Sequence, residues 1–280
     1  MAIDLHTHST ASDGLFSPKD VARLAHEKGL TAVALTDHDT TAGLEEFMSA
    51  KYDGMENIPG VELSSRFFTR EIHIVGLWVD YQNEEFQKFL LSQRVDRARR
   101  NEEIRLKLKY LGYKLTFEEE EFQGIDLANA GRPHFARALV RLYGFETPQK
   151  VFDELLGNGK PGYVPRRLAH PDAAIAAIKA AGGVSVWAHP TYREKNERHF
   201  IRKVIKRFAP LGLDAVEAYY SLFSANETAM MKEFAQIYKL ECSGGSDFHG
   251  QEDCDIGIGR GGLRVPDELL EQLRSRILKR

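Results

Sequence analysis

The sequence has few cysteines, no long apolar run and no marked excess of charge of either sign. Its two cysteines, Cys242 and Cys254, are too few for a disulfide scaffold. No apolar run approaches the roughly 18 residues needed to cross a bilayer. The first residues already include Asp4 and His6, which excludes a secretory signal peptide at this end. We therefore expect a reduced, cytoplasmic protein with no membrane segment.

The charge balance excludes a protein that is basic overall. Lys and Arg number 38 and Asp and Glu number 41, so the formal net charge is −3. A global basic field that would favour nucleic-acid binding is therefore absent. Apolar residues make up 42% and charged residues 28% of the chain, which is typical of a globular protein and not of a disordered one. The length of 280 residues suits one large domain, or a domain with an insertion.

Short apolar runs alternate with helical patterns over most of the chain. The predicted strands lie at residues 2–5, 31–36, 58–64, 72–79, 184–188, 215–219 and 240–243. Ser17 and Pro18 predict the start of the first helix, since Ser favours the N-cap and Pro the first helical position. Strands that alternate with helices indicate an α/β protein, either a parallel barrel or an open parallel sheet.

The middle of the chain departs from this alternation. Helical patterns follow one another at residues 86–111, 132–143 and 148–156, without a predicted strand between them. We interpret residues 95–166 as a helical insertion that caps the substrate. Residues 1–94 and 167–280 are then the N-terminal and C-terminal parts of one α/β barrel.

Histidine, aspartate and glutamate residues gather at the ends of the predicted strands. His6 and His8 follow the first strand, and His189 and His249 follow two of the last three. The other candidates of this kind are Asp13, His38, Glu62, His73 and Asp247. Because the carboxyl ends of parallel strands meet at one edge, we expect these side chains to lie close together.

This set of side chains predicts a metal centre. Imidazole and carboxylate together suit Zn²⁺, Mn²⁺ or Fe²⁺, and the absence of thiolate disfavours a closed structural zinc site. His6 and His8 are two residues apart in an extended segment, so both side chains can reach one ion. Nine ligands are too many for one ion but suffice for two or three, with a carboxylate such as Glu62 as a bridge. We interpret His26, His170 and His199 as structural residues.

Six motifs in this order resemble the PHP (polymerase and histidinol phosphatase) superfamily. They are LHTHS at residues 5–9 with SDG at 12–14, LTDHD at 35–39, GVE at 60–62, HIVG at 73–76, AHP at 188–190 and GSDFH at 245–249. The resemblance implies a distorted seven-stranded (β/α)7 barrel with a trinuclear centre of Mn, Fe or Zn. It also implies which residues hold each ion. The first ion would take His6, His8, Glu62 and Asp247, the second Glu62, His73 and His189, and the third Asp13, His38 and His249.

The predicted insertion is similar to one branch of that superfamily. The sequences GRPHFAR at residues 131–137 and GKPGYV at 159–164 resemble the branch of the 3′,5′-nucleoside bisphosphate phosphatases and 5′→3′ exoribonucleases. The resemblance implies removal of the 5′-phosphate of a nucleoside 3′,5′-bisphosphate, or of short 5′-phosphorylated RNA, by attack of a metal-activated hydroxide at phosphorus. Arg132 and Lys160 would then bind phosphate, His134 would protonate the leaving oxygen or orient the phosphate, and Tyr163 would stack on the base.

Two other functions stay open at this point. A histidinol-phosphate phosphatase would share the barrel and the metals, but Arg132 and His134 in the insertion favour a nucleotide substrate. A non-catalytic regulatory PHP module would bind metal without hydrolysis, but the complete set of nine ligands and the absence of a polymerase domain favour an enzyme. The sequence does not indicate the oligomeric state.

Overall fold

The computed structural model describes residues 2–123, 128, 130–191 and 198–278. The chain divides into two compact units. The first comprises Met1–Phe89 and Ala169–Arg280, and the second comprises Leu90–Leu168. Residues 124–127 and 129 of the predicted insertion lie outside the described residues. Each unit has its own hydrophobic core and is described separately.

An eight-stranded sheet forms the centre of the first unit. Its strands are β1 (Ala2–Thr7), β2 (Ala32–Leu35), β3 (Glu56–Phe67), β4 (Arg70–Leu77), β5 (Val184–Trp187), β6 (Ala215–Tyr220), β7 (Glu241–Gly245) and β8 (Val265–Pro266). Their order along the sheet is β7-β6-β5-β4-β3-β2-β1-β8. Thr7 at the end of β1 also forms a parallel bridge with Phe248, just after β7, so the sheet nearly closes on itself. The predicted fold, a distorted seven-stranded (β/α)7 barrel, is confirmed. The eighth strand, β8, is a short addition that pairs antiparallel with β1.

Helices follow most of the strands. In chain order they are α1 (Pro18–Glu27), α2 (Leu44–Ser49), α3 (Glu84–Tyr110), α4 (Arg132–Tyr143), α5 (Pro148–Val151), α6 (Pro171–Ala180), α7 (Arg198–Phe208), α8 (Ala225–Tyr238) and α9 (Glu268–Leu278). As predicted, α1 begins after Ser17, whose hydroxyl accepts a hydrogen bond from the Asp20 amide at 3.1 Å. Among the described helices, none is long and apolar enough to span a membrane.

β4 runs against its neighbours, which the prediction of a parallel sheet did not anticipate. Only Phe68 and Thr69 separate β3 from β4, so the chain reverses without a crossover helix and β4 pairs antiparallel with both β3 and β5. The start of β4 therefore lies at the edge of the sheet where the parallel strands end. This reversal places His73, near the start of β4, at that edge, opposite Ser64 of β3.

The core of the first unit holds the strands in register. Ile3 and Leu5 of β1 are fully buried in it, together with side chains from six other strands. α9 adds Leu269 and Leu273 to the same core. Burying each such side chain contributes about 1.5–3 kcal/mol to the stability of the fold. This core therefore holds in place the strand ends that carry the candidate metal ligands.

The second unit is helical. The part of α3 from Leu90 onward packs with α4, α5 and a short π-helical turn (Phe152–Leu156). Its core contains Ile104 and Leu108 of α3, and Phe135 and Leu139 of α4, all fully buried. α4 has the bounds predicted from the sequence and is capped by Gly144, whose φ of 71° favours glycine.

Candidate metal centre

The nine predicted metal ligands come together in the first unit. Among the described residues they form four overlapping groups, and the candidate ligand atoms within each group lie within 4.8 Å of one another. The groups are His8, Asp13, His38 and His249; His6, His8 and Asp247; His6, Glu62 and His189; and His38, Glu62 and His73. His26, His170 and His199 belong to none of these groups. The sequence-based set and the clustered set therefore contain the same nine residues.

Glu62 lies at the centre of the cluster, and its side chain is fully buried. Its Oε1 lies 2.8 Å from His73 Nδ1 and 3.0 Å from His189 Nε2. Its Oε2 lies 2.8 Å from His38 Nδ1 and 3.4 Å from His8 Nε2. Because Oε1 faces two imidazoles and Oε2 faces three others, this carboxylate has the position that a bridge between two ions requires.

His6 and His8 converge on Asp247. Their Nε2 atoms lie 3.5 Å and 3.1 Å from Asp247 Oδ1. Tyr220 donates a hydrogen bond to the other oxygen, Oδ2, at 2.9 Å. Asp247 has a φ of 56°, a left-handed conformation that is uncommon for residues other than glycine. The backbone is thus held in a costly conformation that turns this carboxylate toward the two histidines.

A third group surrounds Asp13. His249 Nε2 lies 3.3 Å from Asp13 Oδ1, and His38 Nε2 lies 3.9 Å from Asp13 Oδ2. The ring of His8 stacks on that of His249, with 4.1 Å between centroids. Asp13 thus faces imidazoles that come from the ends of β2 and β7.

The buried carboxylates strongly favour positive charge in the cluster. Burial opposes a charge on His249, but Asp13 and Asp247 outweigh it and raise the pKa of His249 to about 10. Burial also opposes a charge on His73, but Glu62 and Glu71 outweigh it and raise the pKa of His73 to about 9. Burial, helped by the nearby His249, lowers the pKa of His8 to about 3, so that ring is neutral. Protons and metal cations would compete for the nitrogens of His73 and His249, whereas His8 is ready to bind a cation.

Several buried atoms of the cluster lack a hydrogen bond of good geometry among the described residues. They are both ring nitrogens of His8, His6 Nε2, His38 Nδ1 and Glu62 Oε2. Buried polar atoms normally have a partner, so these atoms point to a ligand in their midst. Imidazole nitrogen and carboxylate oxygen are ligands that Zn²⁺, Mn²⁺ and Fe²⁺ share. The residues therefore fit a centre of divalent metal ions.

Comparison with known proteins agrees with this geometry. The family described as PHP domain matches residues 4–146, about half of the chain. The chain belongs to the PHP domain family. The resemblance inferred from the sequence motifs is therefore confirmed.

Two curated relatives cover most of the chain. A 5′-3′ exoribonuclease of Haemophilus influenzae is 36% identical over 88% of this chain and 89% of the relative. A 3′,5′-nucleoside bisphosphate phosphatase of Chromobacterium violaceum is 32% identical over 99% of this chain and 98% of the relative. A solved structure from Bifidobacterium adolescentis, described as a metal-dependent phosphoesterase, has a TM-score of 0.87 at 27% identity and covers 98% of this chain and 96% of that chain. The predicted enzyme class, a metal-dependent phosphoesterase, is confirmed by these matches.

Glu217 contacts the cluster of nine residues but was not among the residues predicted from the sequence. It lies in β6, and its buried side chain contacts two of the nine residues. Its Oε1 lies 3.2 Å from His6 Nδ1, and its Oε2 accepts a hydrogen bond from the His189 amide at 2.6 Å. A carboxylate that holds the Nδ1 proton leaves Nε2 of His6 facing the cluster. A charged residue within the apolar run of β6 was the only sequence signal for this role.

Three buried aspartates hold the loops that carry the candidate ligands. Asp4 accepts a hydrogen bond from the Ser246 amide at 2.9 Å, next to Asp247. Asp37 accepts one from the Ser9 amide at 2.8 Å, next to His8. Asp39 accepts one from the Ser64 amide at 2.8 Å, two residues after Glu62. These aspartates fix the backbone beside the cluster, which is a role that spacing in the sequence does not reveal.

The predicted substrate residues lie in the second unit. Arg132 begins α4, and its guanidinium lies 5.6 Å from the ring centroid of Tyr163 and 3.3 Å from the Leu156 carbonyl oxygen. Lys160 is exposed in the turn before Tyr163. His134 is buried, and its Nδ1 accepts a hydrogen bond from the Gly131 amide at 3.0 Å. The structure thus brings Arg132 and Tyr163 together and gives His134 a part in capping α4.

Proposed function

We propose that this PHP protein removes the 5′-phosphate of nucleoside 3′,5′-bisphosphates and of short 5′-phosphorylated RNA. The observation that carries the proposal is the buried cluster of nine imidazoles and carboxylates around Glu62. The names of the two relatives, a bisphosphate phosphatase and a 5′-3′ exoribonuclease, support this substrate class. We further propose that the protein is cytoplasmic, in keeping with its two free cysteines.

We propose that three divalent ions, Mn, Fe or Zn, occupy the cluster. His6, His8, Glu62 and Asp247 would hold the first, Glu62, His73 and His189 the second, and Asp13, His38 and His249 the third. The overlap of the four groups through Glu62 and the histidines supports more than one ion. When bound, such ions polarise phosphoryl oxygens and lower the pKa of water so that it becomes a nucleophile near neutral pH.

The protein's own residues prepare this chemistry by fixing the ligands. Glu217 holds the Nδ1 side of His6, and Tyr220 holds one oxygen of Asp247. Buried hydrogen bonds of this kind keep the remaining nitrogen and oxygen atoms in place before substrate arrives. Such positioning removes the cost of arranging charged groups during the reaction.

We propose that the helical insertion at residues 95–166 caps the substrate and supplies its phosphate ligands. Arg132 can hold a phosphate with two parallel hydrogen bonds, and Lys160 can neutralise a second phosphate as a point charge. Tyr163, next to Arg132, offers a ring on which a base can stack. The exposure of Lys160 and the partial exposure of Tyr163 support these roles.

We also propose a role for His134 toward the leaving oxygen. The Gly131 N–H lies 3.0 Å from Nδ1 of His134, closer than the Gly131 carbonyl oxygen at 3.3 Å, and this favours Nδ1 as the acceptor. In the neutral ring the proton then lies on Nε2. In this form Nε2–H can donate a hydrogen bond that orients a phosphate. To protonate the 5′-oxygen as the ester bond breaks, the ring would first have to take up a second proton on Nδ1 and give up its hydrogen bond from the Gly131 N–H.

The proposed function is tested by phosphate release from a panel of substrates. The panel contains a nucleoside 3′,5′-bisphosphate, a mononucleotide, a 5′-phosphorylated trinucleotide and histidinol phosphate. We expect the bisphosphate and the trinucleotide to have the highest kcat/KM. A preference for histidinol phosphate would replace the proposed function with the second candidate. Metal binding without turnover of any substrate would indicate a regulatory module.

The role of Arg132 is tested separately. We expect Arg132→Ala to lower kcat/KM on the bisphosphate by about 100-fold, because a desolvated charge-assisted contact to phosphate contributes roughly 2–3 kcal/mol. Metal content should stay unchanged. Arg99→Ala, which removes an exposed arginine of the same unit, is the matched control and should behave like wild type. Loss of bound metal in Arg132→Ala would contradict a role limited to substrate.

A further inference from the structure

α7 presents a face that carries only positive charge. The helix contains no acidic residue, and Ile201 and Phe208 are among its buried side chains. Its exposed side includes Lys203, Lys206 and Arg207. Within the described part of the chain, none of these three has a carboxylate oxygen within 4.0 Å. A protein with a net charge of −3 therefore has a local basic surface on this helix.

The turn between β3 and β4 holds an exposed aromatic ring next to this helix. Phe68 is 63% exposed and has a φ of 54°. It is the first residue of a two-residue hairpin turn, a position that favours glycine when φ is positive. A bulky residue in this conformation is strained, and strain of this kind often marks a functional site. The chain thus keeps an aromatic side chain where glycine would fit the fold more easily.

The ring and the positive charges form one continuous surface. Lys203 Nζ lies 4.1 Å from the ring centroid of Phe68. On the other strand of the hairpin, the guanidinium of Arg70 lies 4.3 Å from the ring centroid of Phe200. Phe67 anchors the turn by packing against Phe208, with ring centroids 5.0 Å apart. We call Phe68, Arg70, Lys203, Lys206 and Arg207 the basic–aromatic surface.

This surface is linked directly to the metal centre by the hairpin. β3 carries Glu62 and β4 carries His73, and both strands lead to the turn. At about 3.3 Å per residue, Arg70 lies roughly 10 Å along the strand from His73, and Phe68 roughly 20 Å from Glu62. A short polymer held at the metal centre by one end can therefore reach the turn.

We propose that the basic–aromatic surface binds the single-stranded RNA that follows the 5′-phosphate of the substrate. A base stacks on Phe68, and the phosphates lie along Lys203, Lys206 and Arg207. Stacking on an aromatic ring beside a positive track is how proteins bind single strands without sequence preference. The proposal rests on the proposed function, since it extends the same substrate beyond its first nucleotide. A nucleoside bisphosphate is too short to use this surface, so the surface distinguishes the two substrate classes.

The test compares binding of RNA with hydrolysis of the bisphosphate in the metal-loaded enzyme. The RNA probe is a single strand of ten nucleotides whose 5′-phosphate is replaced by a phosphonate that resists hydrolysis. One variant, Lys203→Gln/Arg207→Gln, removes two charges. A second, Phe68→Asn, removes the ring, and asparagine tolerates positive φ, so the turn is kept. Lys51→Gln/Arg264→Gln, which removes one exposed lysine and one exposed arginine elsewhere in the first unit, is the matched control.

We expect the charge variant to bind the RNA at least tenfold more weakly than wild type. Its salt dependence should fall by about 1.4 in the slope of log K against log salt, since single strands lose about 0.7 per phosphate contact. Phe68→Asn should weaken binding about five- to tenfold, which is the lower end expected for one stacked base. Both variants should keep the kcat/KM of wild type on the bisphosphate, and the control should match wild type in both measurements.

Three results would overturn the inference. They are RNA binding that is unchanged in both variants, an equal loss in the control, and binding of acidic phospholipid vesicles through this surface without binding of RNA. Failure of the proposed function is a different result. A wild-type enzyme that binds RNA through this surface but releases phosphate from no nucleotide would leave the inference standing and reject the proposed function.

Discussion

Glu217 determines how two histidines of the cluster are presented. It contacts the ring of His6 and the backbone of His189, and His189 itself has a φ of 31°. The single carboxylate thus orients one imidazole and stabilises a strained backbone that carries another. A residue with this position should affect metal binding although it does not face the centre of the cluster.

We expect Glu217→Gln to lower metal affinity and kcat by about 10- to 100-fold, the usual cost of losing a carboxylate behind a metal-bound histidine. The glutamine side chain keeps the shape, but its amide group cannot accept hydrogen bonds from both His6 and His189. Metal content after dialysis and kcat on the bisphosphate measure the effect. Glu252→Gln, at an exposed position, is the control. Normal metal content with normal kcat would show that Glu217 does not position the ligands.

At the residue scale, the sequence predicted the clustered residues but not Glu217, which orients His6. His6, His8 and His38 stand in short motifs at strand ends, and such motifs can be recognised without a structure. Glu217 stands alone in a strand, and its partner His6 is 211 residues away in the sequence. Its role depends on a contact across the barrel, which no local spacing encodes.

Among the elements, the β3–β4 hairpin and β7 do most to shape the site. The hairpin brings His73 next to Glu62 by reversing the chain, and its Phe-Thr turn lacks the Asn-Gly or Asp-Gly signal that would have predicted it. Helices were easier to predict, since α1 and α4 begin and end with typical proline and glycine signals. The direction of β4 depends on whether a turn or a helix connects it to β3. The unusual sequence of the turn therefore hid the antiparallel direction of β4.

β7 approaches β1 so closely that only glycine fits at position 245. A Cβ on Gly245 would lie 2.6 Å from the backbone nitrogen of His6. We expect Gly245→Ala to destabilise the fold by about 3 kcal/mol or more, because neither backbone can move without opening the barrel. Thermal unfolding and metal content both report this effect.

The control for this change is Gly54→Ala, where a Cβ meets no atom within 4 Å. The control should cost only about 1 kcal/mol, for its positive φ. Equal melting temperatures for the two variants would contradict the close approach of β7 to β1.

In the second unit, an ion-pair cluster connects α4 to the segment before it. Arg141 of α4 lies 2.8 Å from a carboxylate oxygen of Glu121 and 3.0 Å from one of Glu119. The hydrogen bond from Arg141 lowers the pKa of Glu121 below its usual value of 4.5. A carboxylate whose pKa is lowered on folding stabilises the folded state when the pH is above the usual pKa of that group. This stability is lost as the pH falls through the folded-state pKa.

We therefore expect Arg141→Met to lower the melting temperature at pH 7 relative to wild type. The difference should shrink as the pH falls from the usual pKa of a glutamate through the lowered pKa of Glu121, because the carboxylate is then protonated and the ion pair is lost. Melts at pH 7 and pH 3.5 test this expectation. Arg99→Met, at an exposed pair within α3, serves as the control. A difference of the same size at both pH values would mean that packing, and not charge, explains the effect.

At the scale of the whole molecule, one compact unit is built from two distant parts of the chain. The first unit unites Met1–Phe89 with Ala169–Arg280, while Leu90–Leu168 packs around its own core. The change from alternating strands and helices to helices alone is the sequence signal that predicts an insertion at residues 95–166. The net charge of the chain does not show where positive and negative charges are concentrated. The negative charges of the buried carboxylates in the metal cluster and the positive charges on α7 offset each other when all charges are added.

If the buried cluster holds divalent metals as proposed, phosphoester hydrolysis should depend on them. The most direct measurement is phosphate release from a nucleoside 3′,5′-bisphosphate after exhaustive chelation, with metal content determined on the same sample. We predict that activity falls to background as the metal is removed and returns when Mn²⁺ is added back. Glu62→Gln should not recover under the same treatment, because the cluster loses its central carboxylate. Phosphate release that continues at the original rate with no metal bound would contradict the account.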